Sequence, residues 1–162
     1  MDQTHLHLLI THLPIFGSIL GAIVLAYGLA TKTQQTLIAA YLVLIISSVG
    51  AFIAHQTGEA AEETVEHMQG ISENLIHEHE ESAEIALIAM IVLALLSLLA
   101  LFAAYRKSPY SNSLAWITLF ISLISFGIVA RTGYLGGQIR HTEINSNTAA
   151  QENNTDREYR QY

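Results

Sequence analysis

The residues with the most obvious chemistry in this chain are histidines and carboxylates, and they are crowded together. The sequence holds eight histidines and fourteen acidic residues. The stretch from His55 to Glu84 alone carries four of the histidines and nine of the acids, with no lysine or arginine. Imidazole and carboxylate groups repeated at helical spacing suit zinc, copper or iron. Two imidazoles on different helices at one depth are what bis-histidine ligation of haem b requires. The chain has no cysteine, which excludes thiolate metal sites, disulfides and c-type haem attachment. It has no nucleophile–base motif, phosphate loop or H-E-x-x-H. In His77-Glu78-His79-Glu80-Glu81 the second histidine comes two residues after the first, not four. These features fit an electron-transfer or accessory protein better than a stand-alone enzyme.

The elements that must position these groups are membrane helices. Of the 162 residues, 51% are hydrophobic and only 13% charged, about half the charged share of an average soluble domain. Apolar runs at about 8–30, 37–55, 84–105 and 114–135 are each near the length that crosses a hydrocarbon core of about 30 Å as a helix. Short polar connections join the first to the second and the third to the fourth, with Pro109 ending the third. The expected fold is all-α: a four-helix, up-and-down integral membrane bundle over residues 1–141, with a polar tail at 142–162. The N-terminus lacks a basic start and cleavage site, so the first span should remain in the mature protein. Lys32, Arg106 and Lys107 occupy the two short loops, which places these loops in the cytoplasm and both termini in the periplasm of a bacterial inner membrane. All eight histidines and all fourteen acids then collect on the periplasmic side. The acid is local, and a nucleic-acid partner is not expected; the bilayer itself is.

Spans two and three should run on as helices beyond the membrane, forming a hairpin over about 58–82 with its turn at Gln69-Gly70. At 100° per residue Glu59, Glu62 and Glu66 share a face of the outgoing arm, with His67 at its end. His77, Glu80 and Glu84 share a face of the returning arm. These seven residues are the candidate metal stripe. An apolar seam of Ala61, Val65 and Met68 lies away from it, so the same stripe also reads as a solvated or partner-facing surface.

Counting back from the loops places His12 and His55 about 30 Å out, at the edge of the hydrocarbon, and His7, His79 and His141 at about 37–42 Å. His79 shares a face with Leu75, Ile76 and Ala83 and should point inward. Arg131, at about 27 Å, is expected first to pair with Glu84 and second to hold a haem propionate or an anionic lipid. The candidate cofactor set is His7, His12, His55, His79, His141 and Arg131.

The first span begins His7-Leu-Leu-Ile-Thr-His12-Leu-Pro14, Thr57-Gly58 follows the second, and the fourth ends Thr132-Gly-Tyr-Leu-Gly136-Gly137 before His141. Over roughly residues 5–141 this resembles a family of small four-span bacterial membrane proteins of unknown function. Relatives in it are sometimes joined to Rieske or cytochrome c domains. The resemblance implies redox chemistry, with haem b at His7, His12, His79 (or His77) and His141.

Three functions follow as expectations. The first is a haem- or metal-bearing redox component passing electrons to a periplasmic or membrane partner. The second is periplasmic binding or delivery of zinc, copper or iron. The third is a non-catalytic subunit of a larger membrane complex.

Overall fold

A computed structural model describes residues 7, 9–65 and 73–140, with side chains at 7, 9–58 and 74–139. The described chain contains four long helices: α1 (His12–Thr31), α2 (Gln34–Val65), α3 (Glu73–Tyr105) and α4 (Ser111–Arg140). Segments His12–Thr31, Gln34–Gly58, Asn74–Tyr105 and Ser111–Ile139 are each long and apolar enough to cross a membrane. The all-α membrane bundle expected from the sequence is the observed fold. Each helix packs on the next and α4 returns to α1, so α1 and α3 sit diagonally across a square, as do α2 and α4.

The bundle is built inside out relative to a soluble protein. On α1 the exposed face is Leu13, Phe16, Leu20, Ile23 and Tyr27, spaced alternately three and four residues. Its buried face is Pro14, Ser18, Gly21, Ala22, Leu25 and Gly28. Lipid tails are as apolar as leucine, so burying a large side chain gains little there, whereas small residues let backbones approach. On α3, Ser82, Ala86, Ser97, Ala100 and Ala104 face inward beside the larger Met90 and Leu93, while Ile85, Ile88, Leu95 and Phe102 face outward.

Two glycines on α1 need their missing side chains. A Cβ on Gly17 would lie 2.8 Å from Ser47 Cβ, and one on Gly21 would lie 2.5 Å from Leu44 Cδ2. Ser47, brought this close, donates its hydroxyl to the carbonyl of Pro14 at 3.2 Å.

The ends of α1 and α3 are alike. Lys32 and Lys107 take left-handed backbone angles, with φ 54° and 51°. Beyond them Thr33 N–H bonds Gly28 O and Ser108 N–H bonds Ala103 O, closing the two Schellman-type turns. Glycine usually takes this position, but a lysine here places a cation at the negative end of the helix dipole. Pro109 follows the α3 turn, and Gln34 Nε2 donates to Ala104 O at 2.7 Å, sharing that carbonyl with the Lys107 N–H and tying the start of α2 to the end of α3.

α2 and α3 are both longer than a membrane crossing needs. With 32 residues, α2 is about 48 Å long at 1.5 Å per residue, against a hydrocarbon core of about 30 Å. The expected hairpin turn, with Glu66, His67 and Met68, lies outside the described residues, as do His141 and the tail. The side chains of Glu59, Glu62, Ala61 and Val65 also lie outside them.

Candidate functional site

Pro14 shapes the entrance to α1. It has no N–H to give the carbonyl four residues earlier, and Thr11 is a turn residue between helical His7, Leu9 and Ile10 and the start of α1 at His12. Thr11 N–H bonds His7 O at 3.0 Å. This extra turn carries His7 over the outer end of α2.

There the His7 ring is fixed by backbone. Its Nδ1 lies 2.9 Å from Ala54 O. A carbonyl only accepts, so Nδ1 carries the proton and Nε2 keeps the free lone pair. Thr57 Oγ1 is 3.4 Å from the same nitrogen, and its own proton goes to Ile53 O or Ala54 O, at 2.9 and 3.1 Å. The ring rests on Gly58, where a Cβ would approach Cε1 to 3.1 Å. A carbonyl and the α-carbon four residues later stack on one helix face, so an imidazole bonded to the first must lie over the second, and glycine leaves it room.

His79 repeats this on the other helix pair. Its Nδ1 donates to Thr132 O at 3.1 Å, and a Cβ on Gly136 would approach its Cε1 to 3.0 Å. Here too Nε2 is left free. Donating one ring nitrogen to a backbone carbonyl is the usual second-shell arrangement of a histidine whose other nitrogen binds metal.

A hydroxyl chain backs the Thr132 carbonyl. Arg131 Nη1 donates to Ser82 Oγ at 3.2 Å, and Ser82 Oγ lies 2.7 Å from Thr132 Oγ1. The Thr132 hydroxyl reaches Ser82 O at 3.0 Å and Ile128 O at 3.1 Å. Ser82 and Thr132 are buried. The expected Arg131–Glu84 ion pair is therefore corrected: Arg131 spends a donor on Ser82, and Glu84 points to the exposed surface of α3. Ser82 was missed in the sequence because a serine in a membrane helix carries no local mark of its partners.

The other candidates separate from this pair. His12 is exposed and stacks on Phe16 with ring centroids 6.2 Å apart; His55 is half-buried. His77 Nδ1 is 3.9 Å from Glu80 and Nε2 is 3.5 Å from Glu81, all three well exposed on one helix. Such exposed pairs are worth about 0.3–0.5 kcal/mol. Among the described residues, no group of three or more histidines and carboxylates gathers closely enough to hold a metal ion.

Burial pushes the His7 imidazole below its ordinary pKa of 6.5, and the bond to Ala54 O offsets this only in part. The folded state thus binds its proton more weakly than the unfolded chain. Docking of His7 is fully stable above pH 6.5 and weakens as pH falls from there toward the lower folded pKa. The protection factor of the Thr11 amide, taken against its intrinsic exchange rate at each pH, should accordingly fall as pH drops from 7.5 to about 5.5. A protection factor that stays constant over that range would refute neutral docking.

The fold and this pair define a class: a membrane-spanning four-helix bundle with two backbone-held imidazoles at one end. The chain belongs to the family described as "Predicted membrane protein (DUF2231)", whose model matches residues 3–143. No curated protein and no solved structure matches it.

Proposed function

We propose that this protein is a redox component of the bacterial inner membrane with a haem b site at its periplasmic end, where His7 and His79 would hold the iron. The observation that carries this reading is the shared state of the two rings. Each gives Nδ1–H to a backbone carbonyl of a neighbouring helix and keeps Nε2 as a free donor. Haem needs only two protein ligands, since the porphyrin supplies the other four. A zinc or iron site made by protein alone needs three or more, and the described residues gather no such group. The His/Glu stripe on the hairpin then serves as a hydrated surface or contact for a redox partner.

Bound haem would supply reversible one-electron chemistry. The chain's part is to hold the imidazoles, fix their protonation and exclude water on the lipid side. Arg131, with donors left after bonding Ser82, is suited to a haem propionate. The lysine-ended loops face the cytoplasm by the positive-inside rule, which supports a periplasmic site.

An absorption spectrum and metal analysis of the detergent-purified protein test the reading. A Soret band with about one iron per chain is expected from bis-histidine ligation. Divalent metal without porphyrin would instead favour metal binding or delivery. A colourless, metal-free sample that also refuses added haemin would leave the accessory-subunit role.

A further inference from the structure

The environments of His7 and His79 match in more than type. Four residues after the carbonyl that accepts each ring's proton stands the glycine beneath that ring: Ala54 and Gly58 in one pair, Thr132 and Gly136 in the other. Seven residues before each carbonyl is a buried serine, Ser47 or Ser125. Ser47 packs on Gly17 and donates to Pro14 O. Ser125 lies 3.4 Å from Ala89 O. Gly17 and Ala89 each lie ten residues after their histidine. The first helix of each pair ends on a left-handed lysine with the same two capping bonds. The units differ in length, with 25 residues from His7 to Lys32 and 28 from His79 to Lys107, and in the serine's acceptor, Pro14 O seven residues after His7 but Ala89 O ten residues after His79.

The square packing supplies the symmetry. A half-turn about the bundle axis carries α1 onto α3 and α2 onto α4, and therefore His7 onto His79. Parallel repeats about an axis along the membrane normal are an established plan for membrane proteins. We infer that α1–α2 and α3–α4 are two copies of one hairpin unit, and that His7 and His79 are equivalent donors to a single metal centre on the axis between them. Gly58 and Gly136 are the matched positioning residues that let the rings reach it. The single centre rests on the haem reading above only for what occupies it; the equivalence of the two donors stands apart.

The arrangement explains why ligands come from diagonal helices that do not pack on each other. Each ring is anchored on the second helix of its own unit, and the two units present their free Nε2 atoms from opposite sides. A centre accepting two like nitrogen donors fits such a site, whereas separate sites would need further ligands at each ring.

The test uses the full-length protein in micelles with 15N-labelled histidine. Both rings should show the Nδ1–H form. Gly58→Ala should move the His7 ring signals and leave those of His79 in place, and Gly136→Ala should do the reverse. Gly137→Ala, with open space around it, should move neither. Added haemin or Zn²⁺ should then perturb both Nε2 signals together and saturate at one per chain. Saturation by Zn²⁺ but not haemin would overturn the haem reading and leave the paired site intact. Two ions per chain, a response at one ring only, or no binding of either probe would overturn the single centre.

Discussion

With His79 replaced by alanine, the haem-loaded protein should lose its six-coordinate, low-spin spectrum and bind carbon monoxide at the vacated position. Altering second-shell partners of a metal ligand already costs about 10–100-fold in affinity, so removing the ligand itself should cost more. The His7→Ala protein should behave the same way. His77→Ala is the control, because His77 is exposed and paired with Glu80 and Glu81 on its own helix. Its spectrum should be unchanged. His77→Ala and His79→Ala together distinguish which histidine of the sequence HEH matters. A His79→Ala protein with a native spectrum would remove His79 from the site.

The second large effect is on the scaffold. Gly17→Ala puts a methyl group 2.8 Å from both Cβ and Oγ of Ser47. The hydroxyl can rotate about χ1, but Cβ is bonded to the backbone and cannot swing away, so α1 and α2 must separate. Overpacking of this kind costs about 1–3 kcal/mol, and loss of the Ser47 bond to Pro14 O adds about 0.6 kcal/mol, the average for such bonds in a membrane. Gly127→Ala, where nothing lies within 4 Å, should be neutral or stabilising. Thermal unfolding in detergent separates the two outcomes. Equal stability of the two variants would show that α1–α2 contact does not depend on Gly17. The separation should also lengthen the His7–Ala54 bond, so Gly17→Ala should weaken haem binding from a distance.

The internal repeat was hidden in the sequence for a physical reason. Volumes at the helix contacts are exchanged between the two units. Where Gly21 faces Leu44 in the first unit, the corresponding buried residues of the second are Leu93 and Ser122. The small residue has changed helix. A close-packed interface constrains the summed volume across it more tightly than either residue, so the pairs diverge while the spacing of the backbones persists.

Spans, bundle and the gathering of histidine and acid at one end could be read directly from the chain. Each depends on a local quantity: apolar length against bilayer thickness, or charge along a segment. The length of α2 and α3 followed likewise from an absence of helix breakers. Depth counting placed His7 and His79 among the outer histidines but could not single them out from His12 and His55. That choice depends on which side of a helix meets its neighbour, which small residues such as Gly17 decide only when the partner helix is present. Nor could charge alone predict the partner of Arg131, because the buried hydroxyl that receives its proton, Ser82, comes from another helix. The sequence by itself determined a membrane bundle with metal-competent side chains at one end. Tertiary structure alone turned two of those side chains toward backbone carbonyls and left their Nε2 atoms free, because a ring's orientation is set by atoms on a different helix.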